Sequence, residues 1–257
     1  MFSKFSFPRF SLSNFSAMIG IAAAGMALAA PGADGGTISG TMAAAPASSA
    51  ASPIDISAGA SDWVYFGLNS AGSYSITPST KAGGPNSFSA LTGGNLVDGF
   101  QNGTAPQYAT GLNFLSFSGG SPTSSDTSNI YAYSSFTPSS FSFTQTLLGS
   151  SEVMDVYLNS YNANQDITAS LSSGGSYSFN NALPQSGTDG ELTLNITGTP
   201  GDTLTFSDTA VSTGQFANIG IQAVTVTAVP EPGALGLLAA AGSLALLGSR
   251  RALRRVG

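Results

Sequence analysis

Carboxylates are the side chains of this sequence that could carry out acid–base chemistry, because the chain contains neither His nor Cys. Two carboxylates at a suitable separation can hydrolyse a glycosidic bond without a histidine. The candidate acids of the central region are Asp62, Asp98, Asp126, Glu152, Asp155, Asp166, Asp189, Glu191, Asp202 and Asp208. Nearly all stand beside Gly, Ser, Thr or Asn, where an Asp caps a turn through its own backbone. The pattern therefore predicts turn-stabilising acids rather than an enzyme, with no catalytic residue.

The missing residue types exclude further kinds of site. Without Cys there is no disulfide, zinc–thiolate site or iron–sulfur cluster. Asn162, Asn164 and Asp166 place oxygen side chains at every second residue, as calcium loops do, but the turn Gly and distal Glu of an EF-hand are missing. A loop between two strands explains this spacing equally well. We therefore predict no metal and no cofactor.

Aromatic side chains offer a second kind of site, since their faces can stack on sugar rings. The candidates are Trp63, Tyr65, Tyr131, Tyr133, Tyr157, Tyr161 and Tyr177. We expect Trp63 and Phe66 to belong to the core. Tyr157 lies opposite the stripe formed by Met154, Val156 and Leu158, so Tyr157 and Tyr161 are expected to be more exposed. These two tyrosines are the predicted ligand-stacking residues.

Threonines at alternating positions suggest a third kind of surface. Thr193 with Thr197, and Thr225 with Thr227, would lie on one side of their strands. Flat threonine arrays are typical of ice-binding surfaces. A regular array would require a repeating solenoid, and the sequence has no fixed repeat. An ice-binding surface is therefore the weaker alternative.

The elements that carry these residues have a period of two. Leu192, Leu194 and Ile196 alternate with polar residues, as do Phe141 and Phe143. Such alternation predicts half-buried strands with one wet face, and Gly-rich and Pro-Gly pairs mark turns between them. We find no amphipathic helical run of useful length here. Residues 53–228 are therefore predicted to form a single antiparallel β-sandwich, jelly-roll-like, in an all-β fold.

The N-terminal region has the layout of a secretory signal peptide over residues 1–29. Lys4 and Arg9 precede an uncharged apolar run, and Ala27 and Ala29 occupy the −3 and −1 positions of a cleavage site. Residues 30–52, rich in Ala, Ser, Gly and Pro, are predicted to be a flexible linker. We expect signal peptidase to act on the chain during export.

The C-terminal region, residues 229–257, combines three features. Val229-Pro230-Glu231-Pro232 comes first, an uncharged apolar segment follows over 233–249, and a basic end over 250–257 closes it with Arg250, Arg251, Arg254 and Arg255. The apolar segment is predicted to be one C-terminal transmembrane helix. Arginines on one flank would keep that flank in the cytoplasm and the central region outside.

This tail resembles the PEP-CTERM sorting domain, which is also labelled after the C-terminal domain of ice-binding proteins. The resemblance covers about the last thirty residues. It implies recognition by an exosortase, a membrane transpeptidase that cuts near Pro-Glu-Pro, in a Gram-negative-type cell that makes extracellular polysaccharide. The alternative is an ordinary membrane anchor. Before processing, residues 233–249 would lie in the inner membrane.

The central region resembles a sandwich module of secreted bacterial proteins. The segments that carry this resemblance begin at Asp62-Trp63-Val64-Tyr65-Phe66-Gly67 and continue through Lys81-Ala82-Gly83-Gly84, Phe141-Ser142-Phe143-Thr144, Asp155-Val156-Tyr157-Leu158, Asp166-Ile167-Thr168-Ala169-Ser170-Leu171 and Gly220-Ile221-Gln222-Ala223-Val224. The resemblance implies a carbohydrate-binding-like fold. No binding residue of that family carries over to this chain.

The charge distribution limits the classes of partner that this chain is expected to bind. Lys81 is the one basic residue between Arg9 and Arg250, so the exported part is strongly acidic and nucleic acid is not an expected partner. We expect a protein of the cell surface or extracellular matrix, possessing a non-catalytic domain that binds extracellular polysaccharide. The alternatives are a purely structural matrix component and, less favoured, a carboxylate-dependent hydrolase.

Overall fold

The computed structural model describes residues 35–66, 78–94, 96–97, 110–135, 139–180, 182–183 and 188–230. All regular structure in these ranges is β-strand, which confirms the predicted all-β class. The predicted signal peptide, the tail from Glu231 onward and Asp98 lie outside the described residues. Within the described ranges, no helix has the length and apolar character needed to cross a membrane.

Fifteen strands make up the described structure. In chain order they are β1 (Thr37–Ala44), β2 (Ile54–Asp55), β3 (Asp62–Tyr65), β4 (Ser79–Lys81), β5 (Thr92–Gly94), β6 (Leu96–Val97), β7 (Thr110–Ser118), β8 (Gly120–Ser121), β9 (Ser125–Ile130), β10 (Ala132–Ser135), β11 (Ser140–Thr146), β12 (Ser151–Leu171), β13 (Ser176–Asn180), β14 (Thr188–Thr197) and β15 (Thr203–Ala228). Twelve of them form one sheet, and β2, β7 and β9 form a second.

The period of two explains how these strands bury one side. In β14, Leu192, Leu194 and Ile196 are fully buried, whereas Asn195 and Thr197 between and after them are exposed. In β11, Phe141 and Phe143 are buried in the same alternating way. Side chains of a strand point alternately to opposite faces, so one face of each strand packs against apolar residues.

Two long strands, β12 and β15, form the centre of the larger sheet. They pair antiparallel from Glu152 with Ala228 to Leu171 with Leu204. On the edge away from β15, β12 pairs first with β14 and then with β13, and β14 in turn pairs with β1. On the edge away from β12, β15 pairs with β11, β10 and β3. The remaining strands β4, β8, β5 and β6 attach through these three.

The central pair bends where its register shifts. The shifts lie between Tyr157 and Leu158, between Tyr161 and Ala163, and between Asn164 and Gln165, and Asn162 has a φ of 52°. A bulge bends a strand and increases its twist. We call residues 159–164 of β12, with the facing residues 212–220 of β15, the fold line. Across it the sheet curls, so that its two halves face each other.

The main core lies between the two halves. We call the part of the larger sheet that contains residues 151–158 of β12 the front half, and the part that contains residues 165–171 the back half. Met154, Val156 and Leu158 from the front half belong to the same apolar cluster as Ile167, Ala169 and Leu171 from the back half. Phe66, which follows β3 in front, lies 6.2 Å from Phe143 of β11 behind, measured between ring centroids. The described body is therefore sandwich-like, but one continuous sheet supplies both main layers.

The smaller sheet covers part of the outer side of the front half. In it β2 pairs parallel with β7, and β7 pairs antiparallel with β9. Its Leu115 and Phe117 form a second apolar cluster with Trp63, Tyr65 and Tyr157 of the larger sheet. Trp63 and Phe66 are buried, as predicted.

The linker predicted over residues 30–52 is wrong where β1 lies. Thr37–Ala44 pairs along its full length with β14, and Ile38 and Met42 pack against the main core. The compact unit that contains the described strands begins at Gly35. Small residues obscured this strand, because Gly40 and the two alanines that end it give the alternation little apolar contrast.

Asp208 places a carboxyl group within the main core. Asp208 alternates with Phe206 and Ala210 on the inner face of β15, is 0% exposed and pairs with Ile167 and Phe141 on its two sides. Among the described residues, neither of its oxygens finds a hydrogen-bond partner of good geometry. Burial raises the pKa of Asp208 well above its ordinary value; the adjacent Thr209 amide offsets part of this, and the Asp166 charge adds to it.

We predict that this carboxyl makes the fold less stable as the pH rises. Below its ordinary pKa of 3.8 the group is protonated in both the folded and the unfolded chain, so it makes no pH-dependent contribution to stability. Above that value the Asp208 carboxyl ionises in the unfolded chain but stays protonated in the folded chain. The free energy of unfolding therefore falls as the pH rises, until the pH exceeds the raised pKa of the folded chain. In urea titrations from pH 4 to pH 8, Asp208→Asn should lose less stability than the unmodified chain, because the variant has no carboxyl group to hold protonated in the core.

Asp202→Asn is the matched control of opposite sign. Hydrogen bonds from Ser173 and Thr199 lower the pKa of Asp202, so its contribution to stability is present at neutral pH and is lost on acidification. The unmodified chain should therefore gain stability relative to this variant as the pH rises through the acidic range below the ordinary pKa of 3.8, and the two should change alike from pH 4 to pH 8. Identical pH profiles for the unmodified chain and Asp208→Asn would contradict the assignment.

Candidate functional site

Exposed hydroxyl and amide side chains line the outer side of four neighbouring strands in the front half. Thr41, Thr193, Asp155 and Thr225 lie side by side across β1, β14, β12 and β15, and the next row holds Ser39, Asn195, Val153 and Thr227. We call the exposed and half-buried polar members of this surface the hydroxyl face: Thr37, Ser39, Thr41, Ser151, Thr193, Asn195, Thr197 and Thr227.

The register sets the spacing of this face. Neighbouring strands lie about 4.8 Å apart, and successive outward side chains along a strand lie about 6.7 Å apart. The Oγ1 atoms of Thr37 and Thr197 lie 2.6 Å apart, at the end of the face where β1 begins. Thr193 and Thr197 therefore join a cross-strand array without a solenoid repeat, whereas Thr225 is buried at its margin. Each exposed hydroxyl both donates and accepts hydrogen bonds.

Two carboxylates border the hydroxyl face. Thr193 Oγ1 donates a 2.8 Å hydrogen bond to Asp155, and Tyr157 donates to Glu191, its direct cross-strand neighbour. Burial raises the pKa of Glu191 and the Asp155 charge raises it further, while the Tyr157 hydroxyl lowers it by less. Burial is also the main reason that the pKa of Tyr157 is raised. This border is therefore a region of negative charge.

No cationic side chain neutralises this charge within the described part of the chain. The one Lys of that part, Lys81, donates to the carbonyl oxygens of Ala60 at 2.7 Å and Ser61 at 3.1 Å. These bonds hold the segment before β3. An anionic ligand would therefore meet repulsion at the hydroxyl face, whereas a neutral, hydroxyl-rich ligand would meet matching donors and acceptors.

The tyrosines predicted to stack on sugars occupy different environments. Tyr157 does point away from the main core, but it is only 7% exposed because the smaller sheet covers it, so its predicted exposure is wrong. Tyr161 is half-buried at the fold line, opposite Asn218. Tyr65, Tyr131 and Tyr133 are buried.

The turn role predicted for the acids holds for Asp202, which accepts hydrogen bonds from the Thr199 amide at 2.9 Å and the Ser173 hydroxyl at 2.6 Å. It is wrong for most of the others, which lie on strands: Asp62, Asp126, Glu152, Asp155, Asp166, Asp189, Glu191 and Asp208. Glu152 nevertheless accepts the Gly149 amide at 2.9 Å from its position on β12, so it stabilises a neighbouring turn.

Three of these strand acids have structural partners in the interior. Asp62 accepts hydrogen bonds from the Ser87 amide at 2.8 Å and its hydroxyl at 2.7 Å. Asp189 accepts the Asn113 amide at 2.7 Å and the Asn159 side chain. Glu152 also accepts from Gln145 at 3.0 Å. These bonds attach loops and the smaller sheet to the larger one.

The segment considered for calcium is not a loop. Asn162, Asn164 and Asp166 lie within β12 at the fold line, each half-buried, so the predicted loop between two strands is wrong. Across the described ranges, no group of three or more acidic side chains is arranged to hold a metal ion. The segment's alternating polar residues belong instead to a strand whose inward residues Ala163 and Ile167 are buried.

The predicted sorting motif follows the central strand directly. β15 ends at Ala228, and the Val229 amide donates a 2.8 Å hydrogen bond to the Ser151 carbonyl oxygen. Val229 and Pro230 are exposed. Glu231, Pro232, the four arginines and the cleavage-site residues Ala27 and Ala29 lie outside the described residues, so their assigned roles stay predictions.

Comparison with known proteins gives no family. No protein-family model matches the chain, and no curated protein matches it.

Proposed function

We propose that this chain is an exported protein of the cell surface or extracellular matrix, sorted by an exosortase, whose non-catalytic body binds a neutral polysaccharide. The observation that carries the binding proposal is the hydroxyl face, where exposed hydroxyl and amide groups from β1 and β14 line up with those of β12 and β15. We further propose that the body is a β-sandwich of the jelly-roll type, with its two layers made from one curled sheet.

The chemistry of the face supports a polysaccharide ligand. Sugar hydroxyls both donate and accept hydrogen bonds, as Thr and Ser hydroxyls do, and one Asn adds an amide. The face presents these groups on strands, which hold them in fixed positions before binding and reduce the entropy lost on association. The border acids Asp155 and Glu191 favour a neutral chain over one that carries uronate or sulfate groups.

The same acids support the second candidate, a carboxylate-dependent hydrolase. Glu191 has a raised pKa and stands beside the charged Asp155, as a general acid stands beside a carboxylate in glycosidases. Several features support a non-catalytic role instead. Tyr157 and Thr193 each hold one of the two carboxylates. Asp62, Glu152 and Asp189 accept hydrogen bonds that hold loops and turns in place.

The sorting proposal is supported by the tail of the sequence. Pro230, Glu231 and Pro232 precede an uncharged segment and a cluster of arginines, and the exposed Val229 places this motif immediately after the folded body. Exported chains of this kind would be cut by signal peptidase after Ala29, be held in the inner membrane through residues 233–249, and then be processed by the exosortase.

We predict that variants of the hydroxyl face lose polysaccharide binding. The triple variant Thr41→Ala, Asn195→Ala, Thr227→Ala removes three exposed groups from three different strands. On an array of neutral and anionic polysaccharides, the unmodified body should retain neutral chains. The triple variant should bind them about tenfold more weakly, the equivalent of about 1.4 kcal/mol.

The matched control removes three exposed hydroxyls from the outer side of the back half. Ser170→Ala, Thr205→Ala, Thr209→Ala should leave both binding and stability close to those of the unmodified body. Equal loss in both triple variants would refute the face as the site. Absence of binding to every polysaccharide at millimolar sugar would favour a structural matrix component, and turnover that Glu191→Gln abolishes would establish a hydrolase.

We predict that the Pro-Glu-Pro motif directs processing. Replacing Pro230, Glu231 and Pro232 with Ala in a host that possesses an exosortase should leave a longer species in the membrane fraction, detected by intact mass. The back-half triple variant should be processed like the unmodified chain. If the Pro-Glu-Pro variant keeps the mature mass and location, the tail is an ordinary anchor.

A further inference from the structure

Both ends of the described body lie at the same end of the curled sheet. Thr37 begins β1 opposite Thr197, Thr197 ends β14 opposite Ser151, and Ser151 accepts the Val229 amide at 2.8 Å. Because the central pair curls back, the turns at both of its ends meet there too. We call residues 35–37, 149–151, 172–175, 198–202 and 229–230 the anchor pole.

Backbone hydrogen bonds tie these segments together. The Gly198 amide donates to the Ser150 carbonyl oxygen at 3.1 Å, and Gly201 donates to Leu147 at 2.9 Å. From the other end of the central pair, the Ser172 amide donates to Thr203 at 2.9 Å. These bonds join the three turns β11–β12, β12–β13 and β14–β15 into one surface.

Side chains and a close glycine contact hold the pole in shape. Asp202 accepts hydrogen bonds from Thr199 and Ser173, and so it links two of the turns. Glu152 accepts the amides of Leu148 and Gly149 in the third. Gly175 has a φ of 90°, and a Cβ there would lie 2.0 Å from the Gly36 carbonyl oxygen, so only Gly allows the start of β1 to approach this turn.

Only short segments separate this pole from the predicted signal peptide and from the predicted membrane helix. Thr37 and Ala228 are separated by the spacing of the strands β1, β14, β12 and β15, about 14 Å in all. Residues 229–232 can extend at most about 14 Å before the predicted membrane helix begins at residue 233. Residues 30–34, between the predicted cleavage site and the body, reach about 17 Å.

We infer that the membrane-anchored precursor stands on the membrane through the anchor pole, with the fold line farthest from the bilayer. This inference rests on the membrane tail of the proposed function. The pole contains one acid, Asp202, and no Lys or Arg, so it has no attraction for anionic headgroups. Residues 229–232, which connect the pole to the predicted membrane helix, therefore determine its position. The fold line lies about 35 Å from the pole, which is the length of the eleven residues from 218 to 228.

This orientation has two consequences for the proposed function. The described residues nearest in sequence to the two predicted processing sites, Gly35 and Pro230, belong to the same end of the body. The hydroxyl face runs up the side of the body, beginning at Thr37 and Thr197, so it stays open to polysaccharide while the precursor is still anchored.

Single cysteines can test this orientation without background, because the chain has no Cys of its own. Thr199→Cys places a label on the exposed anchor pole. Val211→Cys is the matched variant near the fold line, since Val211 is 51% exposed and lies eight residues along β15 from Thr203, about 26 Å. The full chain, made in a host without exosortase, is labelled with a fluorophore and placed in phosphatidylcholine vesicles that carry a headgroup quencher.

We expect the fluorophore at position 199 to be quenched at least threefold more than that at position 211. Deleting residues 233–257 should abolish quenching at both positions. Equal quenching, or stronger quenching at position 211, in chains that float with the vesicles would overturn the orientation and leave the membrane tail intact. Failure of the full chain to float with the vesicles would overturn the tail itself, and the orientation with it.

Discussion

The antiparallel pairing of β12 with β15 is the constraint on which the rest of this structure depends. Every other strand of the larger sheet attaches to one of these two strands, either directly or through one or two intermediate strands. The pair also supplies much of the core, including Met154, Val156, Phe206 and Val224. Without β15, strands β3, β10 and β11 would lose the partner that satisfies their backbone groups, which are costly to bury unpaired. Because β15 is also the last described strand, the sheet cannot close before residues 203–228 are available.

The fold line turns this one pairing into two layers. A flat pair of such length would expose an apolar face on each half, whereas bending at the bulges lets the two faces cover each other. The bend also brings the ends of the pair together, which creates the anchor pole. The outward side of the front half has two parts, one covered by the smaller sheet and one exposed. The smaller sheet covers Trp63, Tyr65 and Tyr157, and the remaining part forms the hydroxyl face.

The sequence predicts those features that local alternation determines. In β14 the large apolar residues alternate with polar ones. This pattern predicts both the all-β class and the inward position of Leu192, Leu194 and Ile196. β1 is harder to predict, since Gly40 and small alanines give little contrast. The burial of Tyr157 depends on a separate sheet that packs on its face. The position of Asp208 depends on its pairing with Ile167 and Phe141, which lie 41 and 67 positions away in sequence. The hydroxyl face likewise joins β1 to β14 across a separation that no local pattern records.

Native-state hydrogen exchange tests the central role of the β12–β15 pair most directly. Amides exchange through local, partial or global opening, so their free energies show which segments open together. If one continuous pair holds both layers, amides of β15 on either side of the fold line, at residues 204–208 and 221–226, should share the free energy of global unfolding. The short outer strands β4 and β8 should exchange at lower free energies. Separate opening of residues 204–208 and 221–226, with clearly different free energies, would contradict this account and would indicate two independent sheets.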